Sequence, residues 1–142
     1  LEGGDRARRE RRDGGIEAAS VLDIHDATGY GVGLNGHGFE KALIEAFSRF
    51  QKAWKILDVV GPVALGFAIT EVKGVRIFPE SQRISLPPAT VDREVIVTPE
   101  VIVEDLSARA EVSLHPAFDL VWNAGGWDGS PHYIEDRWQG RL

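Results

Sequence analysis

Phe39, Leu43, Phe47, Phe50, Trp54 and Leu57 recur at spacings of three and four residues, with Ala42, Ala46 and Ala53 beside them. That period draws an apolar stripe along one helix. Glu40, Lys41, Glu45, Arg49, Gln51 and Lys55 fall between these positions and are expected to face water. Asn35 and Gly36 punctuate the start of the helix. Gly61-Pro62 closes the region, because glycine takes a left-handed cap and proline cannot continue a helix.

The period then changes from about 3.6 to 2. Val63, Leu65, Phe67 and Ile69 share one face of a strand over 63–70, and Ala64, Gly66, Ala68 and Thr70 share the other. That second face is small enough for a helix or a second layer to approach it. Lys73-Gly74 predicts a turn, and Val75 to Phe78 the returning strand of a hairpin. Three prolines within 79–92 predict a loop. Val95-Ile96-Val97 and Val101-Ile102-Val103 read as two strands split by Pro99, a residue of edges and bulges. A second helix is expected from Pro116, a favourable first residue, to about Ala124. It is followed by a double-glycine stop and a tail that carries Trp127, Tyr133 and Trp138.

The fold class expected is therefore α+β: one long helix packed on a small, mostly antiparallel sheet, with a short C-terminal helix and aromatic tail. A chain of 142 residues accommodates one domain with a real core. Residues 1–15 are expected to form a disordered Arg-rich tail, and residues 16–142 the domain. The chain lacks cysteine, which excludes disulfides and thiol chemistry and fits a cytoplasmic location. No apolar run nears the roughly 20 residues that span a bilayer, so no membrane partner is expected. Methionine is absent even at position 1, as in a fragment or a processed chain.

Charge bears on partners. The first 13 residues hold five arginines against four acids, which leaves residues 14–142 at a net −7. A body that bound nucleic acid directly would carry a basic face, so residues 14–142 are expected not to bind it.

Candidate chemistry is sparse. Gly29, Gly31, Gly33, Gly36 and Gly38 cluster around Tyr30 and His37. The cluster lacks the Lys-Ser/Thr of a phosphate loop and the strand–loop–helix setting of a dinucleotide site. It reads as an irregular linker; as a ligand-binding segment it would use Tyr30, Gly31, Gly33 and His37. Asp23, His25 and Asp26, with His37 as a remote fourth ligand, could meet a metal ion, but no tight two-His motif exists and no metal is expected. Ser130 lies beside His132 with no nucleophile elbow before it, and Pro131 suggests a turn. Asp119, one helical turn before Asn123, could bond it, cap a loop or pair with Arg137. No catalytic residue and no cofactor is therefore expected. Trp127, Tyr133 and Trp138 either pack on the core or form an interaction surface.

Several short motifs come in a characteristic order. Gly61-Pro62-Val63 opens a strand, Val72-Lys73-Gly74 makes a turn, and Asp92-Arg93 precedes Val97-Thr98-Pro99-Glu100-Val101 and Val103-Glu104-Asp105. Pro116-Ala117-Phe118-Asp119, Trp122-Asn123-Ala124, Gly126 and then Ser130-Pro131-His132-Tyr133 complete the series, with Trp138 beyond. In this order the run from Gly61 to Trp138 resembles the C-terminal region of bacterial proteins that carry an N-terminal Schlafen AlbA-type DNA-binding domain, often labelled ATP-binding proteins. It covers a little over half the chain, and the AlbA-type domain itself has no counterpart here. The resemblance implies a non-catalytic accessory or interaction domain whose partner is a protein, or an AlbA-type domain in the same polypeptide. The alternative is a small-ligand or nucleotide-binding domain built on residues 29–38.

Overall fold

The computed structural model describes residues 8–10, 16–22, 24–26, 31–79 and 89–140. Its first strands are β1 (Arg8–Glu10) and β2 (Ile16–Ala18), paired antiparallel. β1 falls within the Arg-rich residues 1–15. Next come β3 (Ile24–Asp26) and β4 (Val32–Asn35), then α1 (Gly36–Ile56). Four short strands follow: β5 (Val63–Leu65), β6 (Ala68–Thr70), β7 (Arg76–Phe78) and β8 (Val95–Val97). The chain continues through β9 (Val101–Val103), α2 (Ala110–Ala124), β10 (Tyr133–Ile134) and β11 (Arg137–Trp138). The fold is α+β, with a long helix, a shorter C-terminal helix and small, mostly antiparallel sheets.

Helix α1 starts where its sequence predicts. The Asn35 side chain accepts a hydrogen bond from the Gly38 amide at 3.1 Å, satisfying one of the orphan donors of the first turn. Gly36 has a second role: a Cβ there would overlap the indole of Trp122. The helix ends at Leu57, and Asp58, not Gly61, takes the left-handed conformation at φ 50°.

The buried seam of α1 is wider than the expected one and shifted to one side of it. Phe39, Phe47 and Trp54 are buried as expected, and His37, Glu40 and Ile44 are buried beside them. Leu43 and Phe50 are half-buried and Leu57 is exposed. Gln51 completes the same seam. Its amide crosses to the carbonyls of Leu106 and Ala108, at 3.0 and 2.6 Å, and ties α1 to the turn before α2. Glu40 and Gln51 thus point inward, against expectation.

The glycine-bearing stretch before α1 contains a strand where a linker was expected. β4 is the middle strand of a three-stranded sheet, antiparallel to β3 and parallel to β7. Parallel neighbours need a long crossover, which α1 begins. This explains why β7 does not return alongside β6. Gly74, at φ 79°, makes the predicted turn, but its amide bonds to Val91 O and the Val91 amide to Val75 O. β6 pairs instead with β8, and β5 with β9.

These two pairs form one antiparallel ribbon interrupted by a bulge. The single strand expected over 63–70 breaks at Gly66-Phe67, opposite Thr98 to Glu100. Buried Thr98 fills the break. Its hydroxyl donates to Phe67 O at 3.0 Å and accepts from Phe67 N at 3.2 Å. The inner face, Val63, Leu65, Phe67 and Ile69, joins the core as expected. The small face, Ala64, Gly66, Ala68 and Thr70, is exposed and no layer of the described residues covers it.

Helix α2 begins six residues before Pro116, which lies inside it. Proline removes one amide there, but on the exposed side. Ala110, Leu114, Ala117, Phe118, Val121 and Trp122 are buried and carry the helix past it. α2 packs on α1, β9 and β11. Phe118 meets Phe39 edge-on at 5.5 Å, and Phe47 meets Trp54 likewise at 5.7 Å, both favourable aromatic geometries.

Candidate functional site

The densest cluster of polar side chains in the interior lies where α1, α2 and the C-terminal segment meet. Its centre is Glu40, one turn into α1 and with no solvent exposure. Trp122 on α2 donates its indole N–H to Glu40 Oε1 at 2.7 Å, and the Ser130 hydroxyl donates to the same oxygen at 2.5 Å. The indole N–H of Trp138, on β11, reaches Oε2 at 2.7 Å, and His132 Nδ1 lies 2.8 Å from that oxygen. His132 donates in this contact in the tautomer that carries its proton on Nδ1.

A carboxylate has about four lone-pair positions, and four donors occupy them. That arrangement reconciles a glutamate with full burial, which costs several kcal/mol when a charge is left unpaired. Rings enclose the contact. The His37 imidazole stacks on Trp138 with centroids 5.1 Å apart, and His132 stands edge-on to both His37 and Trp122.

The segment that supplies three of these donors is held by its own bonds. Asp119 accepts from the Ser130 amide at 2.8 Å, which fulfils the loop-capping expectation for that acid. Ser130 accepts in turn from the His132 amide, and the Gln139 amide donates to His132 O at 2.7 Å. β10 and β11 form a two-residue hairpin whose turn residues, Glu135 and Asp136, both have positive φ. That is the turn geometry matching the twist of tight hairpins.

A second cluster flanks the first. His115 stacks on Tyr133 with ring centroids 3.7 Å apart. Its Nδ1 lies 3.0 Å from Asp136, and its Nε2 lies 3.6 Å from Asp119. The Tyr133 hydroxyl donates to Glu111 O at 2.6 Å. Burial, followed by the negative charges of Glu40, Glu111 and Asp119, pushes the phenol far above its ordinary 10.0.

The three aromatic candidates thus all turn a polar atom inward. Trp127 donates to Ile77 O at 3.0 Å, Tyr133 to Glu111 O and Trp138 to Glu40, and each ring is half-buried against the core. Trp122 is fully buried, as its helical spacing from Phe118 predicts. Of the glycine segment, Gly31 is an exposed residue at φ 82°, Gly33 is buried in mid-strand and His37 belongs to the Glu40 cluster. Tyr30 lies outside the described residues, as does Asp23. His25 and Asp26 lie on β3. Among the described residues no three His, Cys, Asp or Glu side chains are grouped to hold a metal ion.

Ser130 and His132 do converge, but on Glu40. The Ser130 hydroxyl donates to Glu40 Oε1, and His132 Nδ1 lies against Oε2. Glu40 itself escaped the sequence reading. The available signal was the seam 37–40–44–47–51–54, which places three polar residues in register with Ile44, Phe47 and Trp54. Comparison of the chain with protein-family models, with curated proteins and with solved structures finds no match.

Proposed function

We propose that this chain is a non-catalytic accessory and interaction domain that works beside an AlbA-type module, in the same polypeptide or as a separate protein. The observation that carries this reading is the saturation of Glu40. The polar groups most suggestive of chemistry, Ser130, His132 and a buried carboxylate, are bonded to one another in an arrangement that fastens the C-terminal hairpin to α1. Such a joint gives a rigid body with a fixed outer surface, which is what a docking domain requires. The AlbA-type partner is inferred from the ordered motifs between Gly61 and Trp138.

The alternative, a small-ligand or nucleotide site on residues 29–38, has less support. A phosphate cradle needs backbone amides that point at the ligand. β4 lies between β3 and β7 and uses its backbone in both ladders.

The test is calorimetric titration of the chain with a purified AlbA-type module, alongside titration with ATP. The expected result is saturable binding of the module and no heat with ATP. Binding of ATP that is lost in a Gly33→Val variant would overturn the reading in favour of the alternative.

A further inference from the structure

The outer face of the ribbon formed by β5, β6, β8 and β9 is apolar and open. Val95, Val97 and Ile102 project from it and are 40, 70 and 58% exposed. Opposite them across the ladder stand Thr70, Ala68 and Ala64, respectively. Large side chains thus line one strand pair and small ones the other, forming a ridge beside a shallow floor. Three large aliphatic side chains left in water on a two-stranded ribbon, with Thr70 the one polar residue among the six and no charge among them, mark a contact surface.

The surroundings say what kind. Residues 61–79 and 89–107 hold six acids and three bases. Glu94 is offset by Lys73 at 3.6 Å, and Asp92 by Arg93 at 3.0 Å. Exposed Glu71, Glu100 and Glu104 have no such cation among the described residues. They flank the apolar rows within reach of a docked partner, since charges act over about 8 Å at physiological salt.

A second copy of the chain would bring the same three carboxylates against these and be repelled. Nucleic acid and anionic membranes would be repelled as well. A segment with an apolar row bordered by lysine or arginine would gain both burial and charge complementarity.

We propose that this face docks a basic amphipathic segment of a protein partner, its apolar row seated on the Ala64 and Ala68 floor and its cations beside Glu71, Glu100 and Glu104. The proposal rests on the interaction-domain reading and gives it a surface and a partner chemistry.

The probe is a short alternating Val-Lys peptide, with a Val-Glu peptide of equal length as its control, titrated into the full chain at physiological salt. Val-Lys should bind and Val-Glu should not. Val97→Asp with Ile102→Asp should weaken binding at least tenfold, and so should Glu100→Lys with Glu104→Lys. All four positions are exposed, and thermal melts check that the variants fold. Glu45→Lys with Asp128→Lys makes the same change in net charge at exposed sites elsewhere and should alter binding less than threefold.

Equal weakening by that control pair would reduce the effect to overall charge and sink the proposal. So would indifference to the Val97 and Ile102 changes. A dimer in sedimentation equilibrium that Val97→Asp dissolves would make a second copy the occupant instead. The AlbA-type module serves as a separate arm. If it binds but ignores every ribbon substitution, the ribbon proposal falls and the interaction-domain reading stands. If Val-Lys binds the ribbon and the module does not bind, the ribbon proposal stands and the AlbA association falls.

Discussion

Glu40 shows how one side chain can hold distant parts of a chain together. Its partners Trp122, Ser130, His132 and Trp138 lie 82, 90, 92 and 98 residues away in sequence. Periodicity cannot reveal such a contact. It reports which side of a helix is apolar, and a glutamate scores as polar whether or not four donors await it. Glu40→Ala should therefore destabilise the protein by roughly 3–5 kcal/mol in urea titration, since it strands several buried donors at once. Glu40→Gln should recover only part of that, because its amide group brings N–H donors toward groups that are themselves donors. Added acetate should raise the melting temperature of Glu40→Ala more than chloride does at equal ionic strength. Loss of stability below about 1 kcal/mol would mean that the donors find water or other partners.

Tyr133 offers a second test at this scale. Its folded-state ionisation is raised above the ordinary 10.0, by burial first and by neighbouring carboxylates second. In the unfolded chain the phenol ionises from about pH 10. Its contribution to stability is therefore complete below that pH and is lost as pH rises further, because only the unfolded state releases the proton. Ultraviolet titration should show Tyr133 ionising together with the unfolding transition. In Tyr133→Phe the decline of stability above pH 10 should be shallower. Reversible ionisation of both tyrosines in a folded protein would contradict this account.

Among elements, those with a clear period were legible and those set by partners were not. Helix α1, the turn at Gly74 and the strands β8 and β9 follow from local pattern. The partner of β7 does not, because a strand of three residues carries no mark of whether it completes a hairpin or crosses to β4. The start of α2 was missed for a different reason. Pro116 is a good first residue, but burial of Ala110 and Leu114 outweighs the one amide it deletes in mid-helix. Three changes probe the elements. Phe47→Ala and Trp54→Ala should each cost about 3–5 kcal/mol, as both rings lie in the seam of α1. Glu135→Asn should stabilise by up to about 1 kcal/mol, since asparagine tolerates the left-handed turn position that glutamate occupies at φ 47°. Chemical denaturation of the three variants checks both signs. Phe47 and Trp54 variants that melt like the parent would place α1 at an interface instead of in the core.

At the scale of the whole molecule, charge and apolar surface are distributed unevenly. Arginines concentrate before position 13, residues 14–142 carry a net −7, and the exposed aliphatic row lies on the ribbon among acids. Among the described residues no helix is long and apolar enough to cross a membrane. This distribution makes a prediction about duplex DNA. Association with phosphate requires cations to displace condensed counterions, and each contact steepens the dependence on salt. Only Arg6, Arg8, Arg9, Arg11 and Arg12 are clustered enough to do so, with acids interleaved. The intact chain should bind a labelled duplex no tighter than about 10⁻⁴ M at physiological salt, the weak end of non-specific binding. Removal of residues 1–13 should abolish even that, whereas Glu40→Ala, which acts on the interior, should leave it unchanged. Fluorescence anisotropy at two salt concentrations reads both the affinity and the slope. Tight, salt-sensitive binding by residues 14–142 would mean that the acidic body contacts DNA directly, and the accessory-domain proposal would fall with it.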